Sequence, residues 1–190
     1  MKKIILLLAL LNTAAFSATR IVATDGNDAN PGALDSPLAT VIKAVSLSIP
    51  GDTILVRGGR HAATTTISIS KSGNAQNKYY LLAFPRERPV FDFSGQSLGQ
   101  KGFSLKADYW FIQGLEVKGA EDNGMEISRG SYNRIERCAF YENRDTGLQL
   151  SNGAAHNEII NCDSYYNADP PDYGDADGFA GKDLPRVFQA

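Results

Sequence analysis

Three stretches decide the fold: IQGLEVKGAEDNGMEIS (residues 112–128), IERCAFYENRDTGLQLS (135–151) and IINCDSYYNADPPDYGDADGFAG (159–181). Written one above another, they fall into register. Ile112, Ile135 and Ile159 open the segments at nearly equal intervals, and Leu115, Cys138 and Cys162 follow at a common offset. Asn143 and Asn167 keep the same spacing, and Gly124-Met125-Glu126-Ile127 matches Gly147-Leu148-Gln149-Leu150. Gly178-Phe179-Ala180 is a third copy, displaced by an insertion around Asp169 to Gly174. A period of about 20–25 residues, with two or three short strands per unit, predicts an all-β parallel β-helix. In such a solenoid each coil bonds only to its neighbours. Equivalent residues then stack about 4.8 Å apart. The isoleucines form an internal aliphatic column, and Asn143 over Asn167 sits at a turn where side-chain amides satisfy backbone groups. A leucine-rich horseshoe is the competing fold, but it needs a helical pattern in each unit and these units have none.

Working back from the repeat, short β-like runs continue upstream: Val90–Phe93, Tyr79–Phe84, Thr64–Ser70 and Thr53–Val56, with Gly, Asn, Pro and Ser between them. One helix precedes them. Ser36-Pro37 reads as an N-cap followed by proline at the first helical position. Leu38, Val41, Ile42 and Val45 give it one apolar face, and Pro50-Gly51 ends it. A single helix of about three turns suits a plug over the open end of a solenoid core. Before it, Asp25-Gly26-Asn27-Asp28 and Asn30-Pro31-Gly32 read as consecutive turns.

The first residues have a different character. Lys2 and Lys3, the apolar run Ile4–Leu11 and small residues to Ala18 are the three parts of an export leader. Cleavage after Ser17, with Ala15 at the third position before the cut, and cleavage after Ala18 both fit. The apolar run is too short to span a bilayer, so the remainder is expected to be secreted and free of the membrane. The organisation is then a leader (1–18), an N-terminal cap with the first coils (19–100), the repeating coils (101–182) and a tail fitting no repeat (183–190). The formal charge is −2, and loss of Lys2 and Lys3 with the leader takes it to −4. That excludes a nucleic-acid footprint, which is basic. A polyanionic ligand would need a local positive group or a bridging cation. Cys138 and Cys162 are the only cysteines. Export suggests a disulfide; in-register stacking suggests a buried, unpaired column, which is the expectation here.

Between Asn161 and Lys182 lie Asp163, Asn167, Asp169, Asp172, Asp175 and Asp177, with Lys182 the only base. Calcium takes six to eight hard oxygen ligands in loose geometry, and short acidic loops offer them. A solvated acidic loop is the plainer reading. Asn30–Gly59 resembles the entry segment of secreted right-handed β-helix proteins that act on polysaccharides. Asp163-Ser164-Tyr165-Tyr166-Asn167 and Ala176-Asp177-Gly178-Phe179-Ala180-Gly181-Lys182 are similar to motifs of family 9 of the polysaccharide lyases, the pectate lyases related to pectate lyase L.

The resemblance covers roughly residues 20–182 and implies a right-handed solenoid performing calcium-dependent β-elimination on polygalacturonate or another acidic polysaccharide. In that chemistry a cation binds the uronate carboxylate and acidifies the C5 hydrogen, which a lysine of lowered pKa removes. Carried over by residue, the family's first calcium ligand falls on Asp177, with Asp175 and Asp163 as possible helpers. The family's further ligands, an Asp-Asp-Gly-Trp-Asp string, and its catalytic lysine lie beyond residue 190. No catalytic residue is therefore assigned, and Lys182 is not the family's base. The resemblance thus implies an apparently truncated solenoid, the N-terminal portion of a lyase, inactive by itself. A non-catalytic polysaccharide-binding β-helix, with Tyr132, Tyr141, Tyr165 and Tyr166 as stacking rings, is the alternative; a purely structural solenoid is a third reading.

Overall fold

The structure is a computed structural model that describes residues 17–171, 174 and 176–184. Most of the leader (1–16) and residues 185–190 of the tail lie outside the described residues. Among the described residues sixteen short strands, numbered along the chain, make three parallel sheets, and there is one helix. The first face holds β1 (Thr19–Val22), β2 (Thr53–Val56), β5 (Tyr79–Ala83), β8 (Trp110–Gln113), β11 (Arg134–Glu136) and β14 (Glu158–Ile160). The second holds β3 (Gly59–Ala62), β6 (Pro89–Asp92), β9 (Glu116–Lys118), β12 (Ala139–Tyr141) and β15 (Asp163–Tyr165). The third holds β4 (Ile67–Ile69), β7 (Phe103–Leu105), β10 (Met125–Ser128), β13 (Leu148–Ser151) and β16 (Phe179–Gly181). Each coil visits the three faces in turn, which is the expected parallel β-helix.

The core is a set of columns. Ile54, Leu81, Ile112, Ile135 and Ile159 pair in sequence along the first face, and the first four are fully buried. Phe91, Val117 and Phe140 stack along the second, and Phe103, Met125 and Leu148 along the third. Because every coil presents the same positions inward, an apolar residue recurring once per period is buried wherever a further coil covers it; on the last coils Ile159 and Cys162 are partly buried and Phe179 is exposed. The register of Leu148 on Phe179 holds although the connection before Gly178 is longer.

Two asparagine ladders hold the corners. At the corner between second and third faces, Asn143 Oδ1 accepts from Ala120 N (3.0 Å), and Asn167 Oδ1 accepts from Asn143 N and Nδ2 (3.1 and 2.9 Å). At the corner between third and first faces, Asn133 Oδ1 accepts from Trp110 N (2.8 Å) and Asn157 Oδ1 from Asn133 N (2.9 Å). Their amide groups donate to Ala107 O and Gly130 O, each at 2.9 Å. Corner backbone has no strand partner, and buried polar groups without partners are costly. The second ladder, spaced like the first, escaped the sequence reading.

The helix is shorter than the sequence suggested. It runs Val41–Leu47 and is capped by Thr40, whose side chain accepts from Lys43 N, rather than by Ser36. Leu38 instead forms a parallel bridge with Val22, and its N–H donates to Ile21 O (2.9 Å). Asp28 fixes that arrangement: its carboxylate accepts from Ala39 N and Thr40 N (both 2.9 Å) and from the Thr40 hydroxyl (2.7 Å). Val41, Ala44 and Val45 face the core, whereas Ile42 is 48 % exposed. At the far end Lys71 Nζ donates to the carbonyls of Val45, Ser46 and Ser48 (3.0, 2.6 and 3.0 Å), closing acceptors that a helix end leaves open. Strand β2 matches its expected bounds, while β1 and β3 lie in segments to which the sequence reading assigned no strand.

Candidate functional site

Asp177 stands at the corner between second and third faces, one residue before the stacked glycines that enter the third face. Its carbonyl accepts from Gly147 N (3.0 Å) and its N–H donates to Thr146 Oγ1 (3.3 Å). The same backbone ladder runs upstream, Gly124 N to Thr146 O and Gly102 N to Asn123 O, each at 3.0 Å. Asp177 is therefore in register with Thr146, Asn123 and Lys101; Thr146 and Asn123 are buried, whereas Asp177, on the last described coil, is exposed. Among the described residues no ion pair involves it.

A second acidic row lies beside it. Asp122, Asp145 and Asp169 recur at the coil period on the same corner. Burial pushes the Asp145 carboxyl above the usual carboxylate range, and the charges of Asp122 and Asp169 add to the effect, against the opposing bond from Thr146 N. Asp145 Oδ1 accepts from Thr146 N (2.7 Å) and Thr146 Oγ1 (3.3 Å), which ties it to the residue that receives Asp177 N. One coil earlier Lys101 Nζ reaches Asp122 Oδ2 (3.0 Å) and Glu126 Oε2 (3.8 Å). The corner thus carries carboxylates spaced one coil apart, and the charges of its neighbours weigh on Asp145. Asp122 and Asp145 were missed in the sequence, although their spacing was the signal.

The remaining expected residues are dispersed. Asp163 opens β15 at the corner between first and second faces, in register with Ala139, so the second-face strand separates it from Asp177. Asp175 and Asp172 lie outside the described residues. Lys182 follows β16, its backbone N–H on Leu150 O (2.8 Å). Among the described residues no group of three or more His, Cys, Asp or Glu gathers around a common point. The residues present fit a cation in part: Asp177 with Asp145 nearby supplies carboxylate oxygens, fewer than the six to eight that calcium takes.

The four candidate stacking tyrosines are mostly engaged with one another. Tyr132 lies between Tyr109 and His156, with ring centroids 5.0 and 4.8 Å away and planes within 8°. Tyr141 stacks on Tyr165 at 4.9 Å, with Lys118 Nζ 5.4 Å from its centroid and its hydroxyl donating to Glu116 Oε2 (3.1 Å). Tyr166, 81 % exposed and edge-on to Tyr165, keeps open ring faces. Cys138 is buried and Cys162 partly buried, and both are free thiols.

Comparison with known proteins bears on this corner. The chain is 44 % identical over 187 residues to pectate lyase L of Paenibacillus polymyxa (strain SC2), covering 92 % of this chain and 41 % of that protein. It is 36 % identical to pectate lyase L of Dickeya chrysanthemi, covering 90 % and 43 %. The crystal structure of pectate lyase Pel9A superposes with a TM-score of 0.79 at 33 % identity, covering 90 % of this chain and 47 % of that one. The chain therefore spans less than half the length of these relatives. Residues 20–186 match the family described as the Pel9A-like, right handed beta helix region, and the chain belongs to that family.

Proposed function

We propose that this chain is the N-terminal portion of an exported, calcium-dependent pectate lyase that cleaves polygalacturonate by β-elimination. The observation that carries the proposal is Asp177, the family's calcium aspartate by resemblance, on an exposed corner beside the Asp122–Asp145–Asp169 row. Calcium held there supplies positive charge to bind a uronate carboxylate and acidify its C5 hydrogen. The chain's own residues do the positioning. Thr146 and Gly147 fix the backbone of Asp177, Thr146 holds Asp145, and Lys101 neutralises Asp122. Asp175 is a second-rank ligand candidate; Asp163, across β15 from Asp177, would not share the same cation. The base lysine and the Asp-Asp-Gly-Trp-Asp string are not among these 190 residues, so we propose that they bind uronan without cleaving it.

The test measures retention of the pure chain in gels containing polygalacturonate, with calcium and with chelator, alongside the ultraviolet absorbance of unsaturated product. Calcium-dependent retention that Asp177→Asn weakens, without product, is expected. Retention indifferent to calcium would favour a non-catalytic sugar-binding solenoid using Tyr165 and Tyr166. Product formed by the chain alone overturns the assignment of the base beyond residue 190.

A further inference from the structure

The start of the solenoid contains a polar arrangement that polysaccharide chemistry does not use. Asp52 is 1 % exposed, and its carboxylate accepts three hydrogen bonds. Arg20 Nη1 donates to Oδ2 (2.6 Å), Ile49 N donates to Oδ2 (3.0 Å) and Ala18 N donates to Oδ1 (2.7 Å). Ala18 is held on its other side as well, its carbonyl accepting from Thr53 N (2.9 Å). Ser17 is exposed, and Thr19 begins β1. The donor on Oδ1 is thus the main-chain nitrogen on the far side of the Ser17–Ala18 bond, one of the two bonds that the leader pattern leaves open to cleavage.

The structure separates those two bonds. Cleavage after Ala18 removes both Ala18 N and Ala18 O, stripping Asp52 Oδ1 and Thr53 N of their partners. Cleavage after Ser17 keeps both and improves one. Hydrolysis breaks the bond between Ser17 C and Ala18 N. The hydroxyl of water goes to the Ser17 carbonyl carbon and its hydrogen to the amine. The proton shed by the new carboxyl converts the amine to an ammonium. The bond from Ala18 N–H to the carboxylate is already charge-assisted on the acceptor side; cleavage turns the donor into a cation with three N–H groups and adds the attraction between two opposite charges.

We propose that Ser17–Ala18 is the processing site for a leader-cleaving peptidase, and that the released Ala18 ammonium forms a half-buried ion pair with Asp52 that locks β1 onto β2. The proposal rests on the reading of this chain as exported. The charged and titratable groups facing the new amine are Asp52 ahead of β2, Arg20 on β1 and Tyr79 on β5; burial and the Asp52 charge raise the Tyr79 phenol, so it stays neutral beside the pair. The carboxylate raises the pKa of the amine above its unfolded value of about 7.7–8.0. The added stability is then fully present below that value and is lost as pH rises through the folded pKa.

The test expresses the whole chain with its leader in an exporting bacterium and reads the N-terminus of the exported product by mass spectrometry. The rate at which dilute acetic anhydride acetylates its α-amine near neutral pH is then compared in native and urea-unfolded protein. The expected product begins at Ala18 and is acetylated at least about tenfold more slowly when native, the equivalent of one pKa unit. Asp52→Asn, where it folds, should restore the fast rate; the native-to-urea comparison stands without it. Export with a different first residue, or equal rates in the two states, overturns the proposal and leaves the lyase reading intact. A chain retained in the cell with Met1 in place overturns the export reading and the proposal together.

Discussion

Replacement of Asn133 by alanine tests the solenoid's dependence on its corner ladders. Asn133 is 1 % exposed, as are Trp110 and Ala107, whose N–H and C=O it serves at 2.8 and 2.9 Å. Alanine leaves one buried donor and one buried acceptor unpaired, each costing about 1–3 kcal/mol. A water molecule entering the vacated space offsets part of the loss, so about 2–4 kcal/mol is expected, a large share of the ~5–15 kcal/mol that holds a domain together. Asn157→Ala, at a half-buried rung, should cost about 1 kcal/mol. Asn133→Asp keeps the acceptor for Trp110 but sets a second carboxylate oxygen against Ala107 O. It should therefore match or exceed the alanine loss at neutral pH and recover in acid, when the carboxyl can donate. The single, buried Trp110 reports unfolding directly by fluorescence in urea. An Asn133→Ala protein within about 0.5 kcal/mol of the parent, the range of ordinary surface changes, would refute the ladder's role.

Two further outcomes concern charge. In calcium-free buffer Asp145→Asn should raise the melting temperature at neutral pH: burial and neighbouring carboxylates hold the native Asp145 pKa above its unfolded value, so the ionised residue destabilises the fold above that pKa and has no effect well below the carboxylate range. A calorimetric scan giving the same difference at both pH values would sink this account. Cys162, half-buried and with its thiol lowered by the neighbouring Cys138, should be alkylated by iodoacetamide well before Cys138, whose thiol the same neighbour and burial push well up. Equal labelling of both in peptide maps would contradict that asymmetry.

The repeat made the core legible, because inward positions recur at the coil period and Ile112, Ile135 and Ile159 declare it. The helix boundary was not legible. Ser36-Pro37 is a sound local start signal, but Asp28, well upstream of Ala39, grips the backbone there and Leu38 is spent on a bridge to Val22. The Lys71 plug was hidden for the same reason, since it acts far along the chain from its carbonyl partners. At the proposed site, Asp177 was singled out by its motif. The Asp122–Asp145–Asp169 row needed the repeat to be read for polar residues as closely as for apolar ones. Tyr132 shows the converse: exposed aromatics resembled a sugar platform, yet stacking along the solenoid covers both faces of the ring.

The longer connection ahead of Gly178 shows where this architecture tolerates change. Leu148 still meets Phe179 and Gln149 still meets Ala180, although Gly178 follows Gly147 at a longer interval than Gly147 follows Gly124. The sheet register acts as a ruler that ignores contour length between rungs. Insertions and deletions at a corner are therefore insulated from the core, and a lineage could remodel its ligand loops one coil at a time without renegotiating the fold.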